Sequence, residues 1–530
     1  MRETNQTVYQ STIAFKNSKN TALYFRKKKI NYIEFHKRVD HFADVFFSCG
    51  VKKNDVVSVL SPNIPECIIA YYALDKIGAI SAFLHPLFPV SQLPDTLREN
   101  GSKFFVVLDI FYKKYKKSIS DLTLQTFVIS PEEDLFPLER LFYRIKNRDA
   151  LKEIEEEKYL YRIKSEISLK EINTDYLKPS VYLRSGGTTG KSKTVILNDQ
   201  QLLYPGSLAR EIVGRELSGK AIIGVLPLFH GFGLAMGVIA PLMNDAGSCL
   251  MIKFDLDEVI KRLKKDQLNI LIAVPYLIKK ILDSNRFKGD YLKNLYATYV
   301  GADKTPLYII DEYNKLMDDY SSKGYLLEGY GLTETVTVTF VNTHSENRVG
   351  SVGKPLKGTE FKIVSKEDME HDLGDNVQGM IIIASPALCL GYLNDSLPVY
   401  IDKNNKKWLI TGDIGYHDKD GFLYFSNRKN DVYKIAGYNV FPSMIEELAT
   451  SVEEVKFACC LFVEDDNHPY LKLFVELQND VDEKAIEKRL NTLFTSKLLK
   501  YSCPEKIVFL SAFPRTDVGK IDKKKLKEMN

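Results

Sequence analysis

Tyr182-Leu-Arg-Ser-Gly-Gly-Thr-Thr-Gly-Lys-Ser-Lys-Thr-Val195 is the stretch on which the reading of this 530-residue chain turns. Glycines 186, 187 and 190 let the backbone approach an anion closely and turn its N–H groups toward it. The hydroxyls of Ser185, Thr188 and Thr189 and the lysines at 191 and 193 add donors and charge, so the loop suits a nucleotide polyphosphate. A Walker A loop, G-x-x-x-x-G-K-[ST], would end at Gly190-Lys191-Ser192 but requires glycine at position 185, where the chain has Ser185. A P-loop phosphotransferase is therefore a third-rank alternative, and a structural glycine turn stays open beside it.

Working outward, the runs Val56 to Leu60, Phe104 to Leu108, Ala221 to Val225, Ile270 to Val274 and Leu295 to Val300 are short and β-branched or aromatic, which predicts strands. Ile64 to Lys76 and Leu256 to Asp266 predict helices between them. Such alternation predicts α/β architecture with mainly parallel βαβ sheets, function lying in the loops beyond the strand ends. Ser130 to Lys178 is charge-rich, is predicted mostly helical and carries no interpretable motif. Ala221 to Met243 holds no Lys, Arg, Asp or Glu, a length sufficient for a bilayer span. Pro227, Pro241, His230 and the glycines around Phe-His-Gly-Phe-Gly favour a buried strand, loop and helix instead.

Composition is that of a globular chain with sizeable cores: 45% hydrophobic and 11% aromatic residues. The 73 basic and 69 acidic residues leave a net charge of +4, too small to signal a nucleic-acid partner. The seven cysteines show no C-x-x-C spacing, so neither a disulfide framework nor a zinc site is indicated. The polar opening Met1-Arg-Glu-Thr-Asn-Gln lacks an apolar signal core, which makes a cytoplasmic location the expectation, with no transmembrane segment.

Three further segments join the glycine loop. They are Leu327-Glu-Gly-Tyr-Gly-Leu-Thr-Glu334, the run from Thr411-Gly-Asp413 to Asn427-Arg-Lys-Asn-Asp431, and Phe513-Pro-Arg-Thr-Asp-Val-Gly-Lys-Ile-Asp522. Taken singly each reads as a turn, a helix start or a solvated basic tail. In this order the four resemble the adenylate-forming (ANL) superfamily of acyl-CoA synthetase and AMP-binding enzymes. Its phosphate loop is commonly written [ST]-[SG]-G-[ST]-T-G-x-P-K-G; here Ser192 replaces the proline and Thr194 the last glycine. The likeness extends from about Thr21 to Leu526 and includes Leu226-Pro-Leu-Phe-His-Gly-Phe-Gly-Leu234 and Lys434-Ile-Ala-Gly-Tyr-Asn-Val-Phe-Pro442.

The resemblance implies a large N-terminal domain, residues 1–428, with mainly parallel sheets and a small barrel-like subdomain. A small mobile α+β lid, residues 429–530, would carry the catalytic lysine and hinge at Asn430. It implies that Tyr330 lies against adenine, Thr333 touches the α-phosphate, Glu334 holds Mg²⁺ and Asp413 accepts from the ribose hydroxyls. Arg428 adds a ribose or phosphate contact, and Lys520 bridges the substrate carboxylate and the α-phosphate. Ser185, Gly186, Gly187, Thr188, Thr189, Gly190 and Lys193 would cradle the phosphates, with Gly301, Ala302, Glu328 and Gly331 further nucleotide contacts and Lys434 and Gly437 contacts on the lid. His230 would face the substrate carboxylate or gate its tunnel; amino-acid-activating members carry Asp there to pair a buried ammonium. The implied reaction is ATP- and Mg²⁺-dependent activation of a fatty or aromatic carboxylic acid as acyl-AMP, then transfer to coenzyme A. A carrier-protein phosphopantetheine is the alternative acceptor, and a silent nucleotide- or acyl-binding protein the alternative from another class.

Overall fold

The computed structural model describes the chain except residues 1, 156–157, 171, 186–192, 266–269, 429–432, 436–437, 441, 464–469, 479–480, 499–501, 517–518 and 530, and the side chains of 433–435, 438 and 439. Among the described residues, Val56–Leu60, Ile80–Leu84, Ser102–Leu108, Gln125–Ile129 and Pro179–Arg184 pair in parallel. Thr194–Asn198 and Gly391–Tyr392 extend that sheet antiparallel at one edge. A second sheet joins Leu326–Gly331, Ala297–Val300, Ile270–Ala273, Ala221–Gly224, Gly247–Leu250 and Thr21–Phe25 in parallel, with short antiparallel strands at both ends. Strands buried on both faces need no polar alternation, which is why Val-Val-Ser-Val-Leu and Ile-Ser-Ala-Phe-Leu read as near-continuous apolar runs.

One core holds the two sheets together. The helices Tyr32–Ser48 and Pro65–Ile77 bury into a cluster that takes side chains from both sheets, Val57 and Val181 from one and Leu23 and Ile272 from the other. Pro65–Ile77 is buried along its whole length. Its Pro65 sits in the first turn, where the missing N–H costs nothing, and Gly78 ends it at φ +86. Truncating a wedged residue such as Leu74 to Ala would cost about 2–5 kcal/mol.

The third unit is antiparallel. Glu360–Val364, Gly379–Ala384, Lys407–His417, Val399–Ile401 and Leu423–Arg428 form the small barrel-like sheet. Beyond it a lid is built on Val455–Val463, Tyr470–Leu477 and Lys506–Leu510, packed by Pro442–Thr450 and Glu483–Lys497 around its own core.

The apolar run from Ala221 resolves as expected into a strand, Ala221–Gly224, a turn and a helix, Phe232–Ile239, wound as a π-helix. Among the described residues no helix is long and apolar enough to cross a membrane. Ser130 to Lys178 departs from its expectation. Pro137–Lys146 and Arg148–Leu151 are helical, but beyond the short turn Leu160–Arg162 the described residues 163–178 run without helix. There the backbone bonds to the body instead: Leu169 N–H donates to Asp44 Oδ1 at 2.7 Å and Asn173 N–H to the Lys76 carbonyl at 2.9 Å.

Candidate active site

Parallel strands deliver their C-terminal ends to one cleft of about 2490 Å³, several times the usual size of a small-ligand site. Gly301 and Ala302 follow the strand Ala297–Val300, Glu328, Tyr330 and Gly331 end the strand Leu326–Gly331, and Ser185 follows Pro179–Arg184. From the barrel come Asp413 and Arg428, and from the lid Lys520. Thus Ser185, His230, Gly301, Ala302, Glu328, Tyr330, Gly331, Thr333, Glu334, Asp413, Arg428, Lys193 and Lys520, scattered over more than 330 positions, line one space. Gly186, Gly187, Thr188, Thr189, Gly190, Asn430 and Gly437 lie outside the described residues, and of Lys434 only the backbone, on the strand Tyr433–Ile435, is described.

One wall of the cleft is held together by its own side chains. The Tyr330 hydroxyl donates to Asp413 Oδ2 at 2.6 Å, and its ring stacks with Phe425 at 6.0 Å. Asp413 is 2% exposed, and Arg428 Nε lies 3.5 Å from its other oxygen. Burial pushes the Asp413 carboxyl up, while Arg428, the Tyr330 hydroxyl and Lys520 pull it back. Glu328, also buried, is pushed up to about 7 by desolvation, although Thr305, Lys304 and backbone N–H groups favour its charged form.

Thr333, Glu334 and Thr335 form a 3-10 turn after the strand. Glu334 Oε1 accepts from the Tyr392 hydroxyl at 2.7 Å, and Lys193, across the Tyr392 ring, pairs with Asp395 at 2.8 Å. The turn ends on Val336 at φ 63, ψ −60, where Thr337 N–H donates to the Thr335 carbonyl at 2.7 Å. That is a γ-turn of the strained positive-φ kind, an unfavourable place for a β-branched residue. Two glycines make room for it: a Cβ on Gly231 would lie 1.6 Å from the Val336 oxygen, and one on Gly331 would lie 1.5 Å from the Thr337 oxygen. The strained turn, Glu334 before it and the histidine loop therefore form one packed unit.

His230 lines the same cleft as the apolar side chains Ile212, Val213, Leu217, Ile222, Met236 and Ile272. Its loop is pinned by Asn63, whose amide donates to the Leu226 carbonyl at 2.8 Å and accepts from Leu228 N–H at 3.1 Å. Burial, then the charges of Lys520 and His85, depress His230 to about 3, so the ring is neutral in the working pH range. Lys520 is itself lowered by burial and by Arg428, against the pull of Asp303 and Asp413.

The loop carrying Lys520 is braced internally and against the body. Arg515 Nη1 donates to the Gly519 carbonyl at 2.9 Å, and Asp522 N–H to the Pro514 carbonyl at 2.8 Å. The Arg515 guanidinium lies 3.9 Å from the ring centre of Tyr276 on the body and 4.5 Å from that of Phe457 on the lid. Lys456 joins the lid to Asp283 at 2.9 Å, the Tyr308 hydroxyl donates to the Lys456 carbonyl, and Lys304 pairs with Glu447. Sequence reading missed Asn63, Tyr392, Asp395, Asp303, Asp283 and Lys456, because their partners lie far along the chain and no local pattern marks them.

This two-sheet body, with an antiparallel subdomain and a lid bringing a lysine to a nucleotide wall, defines an adenylate-forming fold. Residues 12–393 match the family model described as AMP-binding enzyme, and residues 444–520 that of the AMP-binding enzyme C-terminal domain. The chain belongs to the AMP-binding enzyme family. It is 27% identical over 525 residues to a long-chain-fatty-acid–CoA ligase of Bacillus subtilis (strain 168), covering 96% of this chain and 91% of that protein. To 4-coumarate–CoA ligase 3 of Arabidopsis thaliana it is 25% identical, covering 94% and 86%. Among solved structures, ATP-bound MatB of Rhodopseudomonas palustris superposes with a TM-score of 0.81 at 20% identity, covering 100% of this chain and 99% of that one.

Proposed function

We propose that the protein is an ATP-dependent acid–CoA ligase acting on a fatty or aromatic carboxylic acid. The observation that carries this reading is the convergence of Lys520, Asp413 and His230 on one cleft that apolar side chains such as Ile212, Leu217, Ile222 and Ile272 also line. Names of relatives agree with it, including the long-chain-fatty-acid–CoA ligase of Bacillus subtilis. We place the boundary between body and lid at residues 428 and 429.

A carboxylate and ATP repel each other, and the acid is a poor acyl donor until its oxygen becomes part of a good leaving group. Asp413 accepts from the ribose hydroxyls, while Tyr330 fixes that carboxylate and offers its ring to the base. A carboxylate oxygen attacks the α-phosphorus, the bond to the bridging oxygen breaks, and pyrophosphate leaves. Lys520 stabilises the charge that develops on the α-phosphoryl oxygens, in a site where burial makes such an interaction strong. Glu334 suits Mg²⁺, which takes one or two carboxylates with phosphate oxygens rather than an all-protein cage. Among the described residues no cluster of three or more His, Cys, Asp or Glu side chains forms such a cage. Mg²⁺ would neutralise phosphate charge there. Neutral His230 lies beside the carboxylate without adding a competing cation. In the second step the coenzyme A thiol loses its proton, its sulfur attacks the acyl carbonyl, and AMP leaves.

The test is incubation with ATP, Mg²⁺ and a pool of fatty, short-chain and aromatic acids, with and without coenzyme A, reading pyrophosphate and product masses. Acyl-AMP that becomes acyl-CoA when the thiol is added supports the reading and names the acid. Acyl-AMP that ignores coenzyme A would overturn the acceptor, and no pyrophosphate with any acid would overturn the ligase.

A further inference from the structure

The helix Pro137–Lys146 is turned inside out. Arg140, Tyr143, Arg144 and Asn147, spaced i, i+3, i+4, i+7, form one stripe. Three of these reach the body: Arg140 Nε donates to the Glu132 carbonyl at 2.8 Å, Arg144 Nε to Glu132 Oε1 at 2.8 Å, and the Tyr143 hydroxyl to Asp109. The complementary stripe at the same spacing, Leu138, Leu141, Phe142 and Ile145, faces outward with exposures of 70, 53, 68 and 63%. Phe136, 48% exposed, precedes it. Glu139 caps the helix by accepting from Phe136 N–H at 3.2 Å, so the outward stripe belongs to a properly started helix.

Five large apolar side chains open to solvent amount to roughly 500 Å², the size at which a patch on a monomer marks an interaction site. A stable protein interface takes about 800 Å² from each partner, more than this one stripe supplies, whereas each side chain entering a lipid interface adds its own affinity. The charge around the stripe is cationic. Lys146, Arg148 and Lys152 follow it, and Lys113, Lys114, Lys116 and Lys117 lie exposed on and just after the helix Asp109–Lys116, which packs against Arg148–Leu151. Arg26 Nε, 3.8 Å from Glu139, brings in the hairpin turn with Lys27 and Lys28. Among the described residues, the exposed acids Glu133, Asp149, Glu153 and Glu155 each meet a cation, Arg38 at 3.8 Å, Lys152 at 3.2 Å, Lys113 at 3.0 Å and Lys158 at 3.8 Å, and no such pair takes Lys114, Lys116 or Lys117.

We propose that this helix docks the protein on an anionic lipid bilayer, with Leu138, Leu141, Phe142 and Ile145 entering the interface and the surrounding lysines and arginines meeting the headgroups. The proposal goes beyond the ligase reading and does not depend on it. The test is co-sedimentation of the full chain with phosphatidylcholine vesicles, with and without phosphatidylglycerol. The protein sediments with the anionic vesicles. The double variant Leu141→Asp/Phe142→Asp lowers the bound fraction by roughly tenfold or more, since two charges replace two inserted side chains. Both positions are exposed, so the variant's melting temperature stays that of the parent. A triple variant, Lys114→Gln/Lys116→Gln/Lys117→Gln, weakens binding to anionic vesicles only. Parent protein that stays in the supernatant, or Leu141→Asp/Phe142→Asp that sediments like the parent, would overturn the proposal. A concentration-dependent dimer abolished by that variant, without vesicle binding, would assign the stripe to a second copy and equally overturn it.

Discussion

On the body, Tyr330 and Asp413 lie 83 residues apart on two strands, and a 2.6 Å hydrogen bond joins the two buried side chains. Across the cleft, Lys520 rides on a loop of the lid, which meets the body through the stacked Arg515, a few part-exposed ion pairs and apolar packing of Phe457, Leu461 and Phe513. Partly exposed pairs of that kind are worth about 1 kcal/mol or less each. The wall holds buried carboxyls against the cost of desolvation, while the ion pairs at the edge facing it are individually cheap to break.

Four experiments break or sharpen the contrast. Lys520→Ala should cut acyl-AMP formation by about a hundredfold or more and barely touch transfer from preformed acyl-AMP to coenzyme A. Half-reaction rates check this, and equal loss in both steps would move Lys520 out of the first step alone. Glu334→Gln, within the wall, should raise the Mg²⁺ concentration at half-maximal rate by about tenfold; an unchanged metal titration removes Glu334 as a ligand. Lys456→Ala loosens only the lid edge and should slow adenylation by about three- to fivefold with thiol transfer unaffected, the scale of one part-exposed ion pair.

The smallest effect concerns the cost of the wall. Glu328 has its folded pKa raised to about 7, above the unfolded value. Its contribution to stability is therefore fully present below the unfolded pKa and is lost as pH rises through about 7. Glu328→Gln carries no such penalty. The variant should melt about 1–2 °C above the parent at pH 8 and show no such advantage at pH 5, and a difference independent of pH would contradict a buried titrating carboxyl there.

Much of this molecule was legible along the chain. The βαβ alternation followed from periodicity and the buried, unspanning character of Ala221 to Met243 from its prolines, histidine and glycines, with strand and helix ends displaced by only a residue or two. The glycine loop, Thr333-Glu334, Thr411-Gly-Asp413 and Pro514 to Lys520 stood out because each packs several chemical demands into adjacent residues. The charge-rich stretch to Lys178 misled, since helix propensity there yields to side-chain and backbone bonds with Asp44 and Lys76. Asn63, Tyr392 and Lys456 were invisible, because each acts on a partner more than a hundred positions away: Leu226, Lys193 and Asp283.

Residue chemistry that is local in the chain, namely a glycine- and hydroxyl-rich loop, a lysine near the chain's end and a periodicity for parallel sheets, was determined by sequence alone. Tertiary structure decided the rest: that Tyr330 locks Asp413, that Gly231 and Gly331 admit the strained turn at Val336, and that the Leu138 to Ile145 stripe faces out. Distances across a fold depend on how every intervening element packs, and no stretch of sequence encodes that by itself.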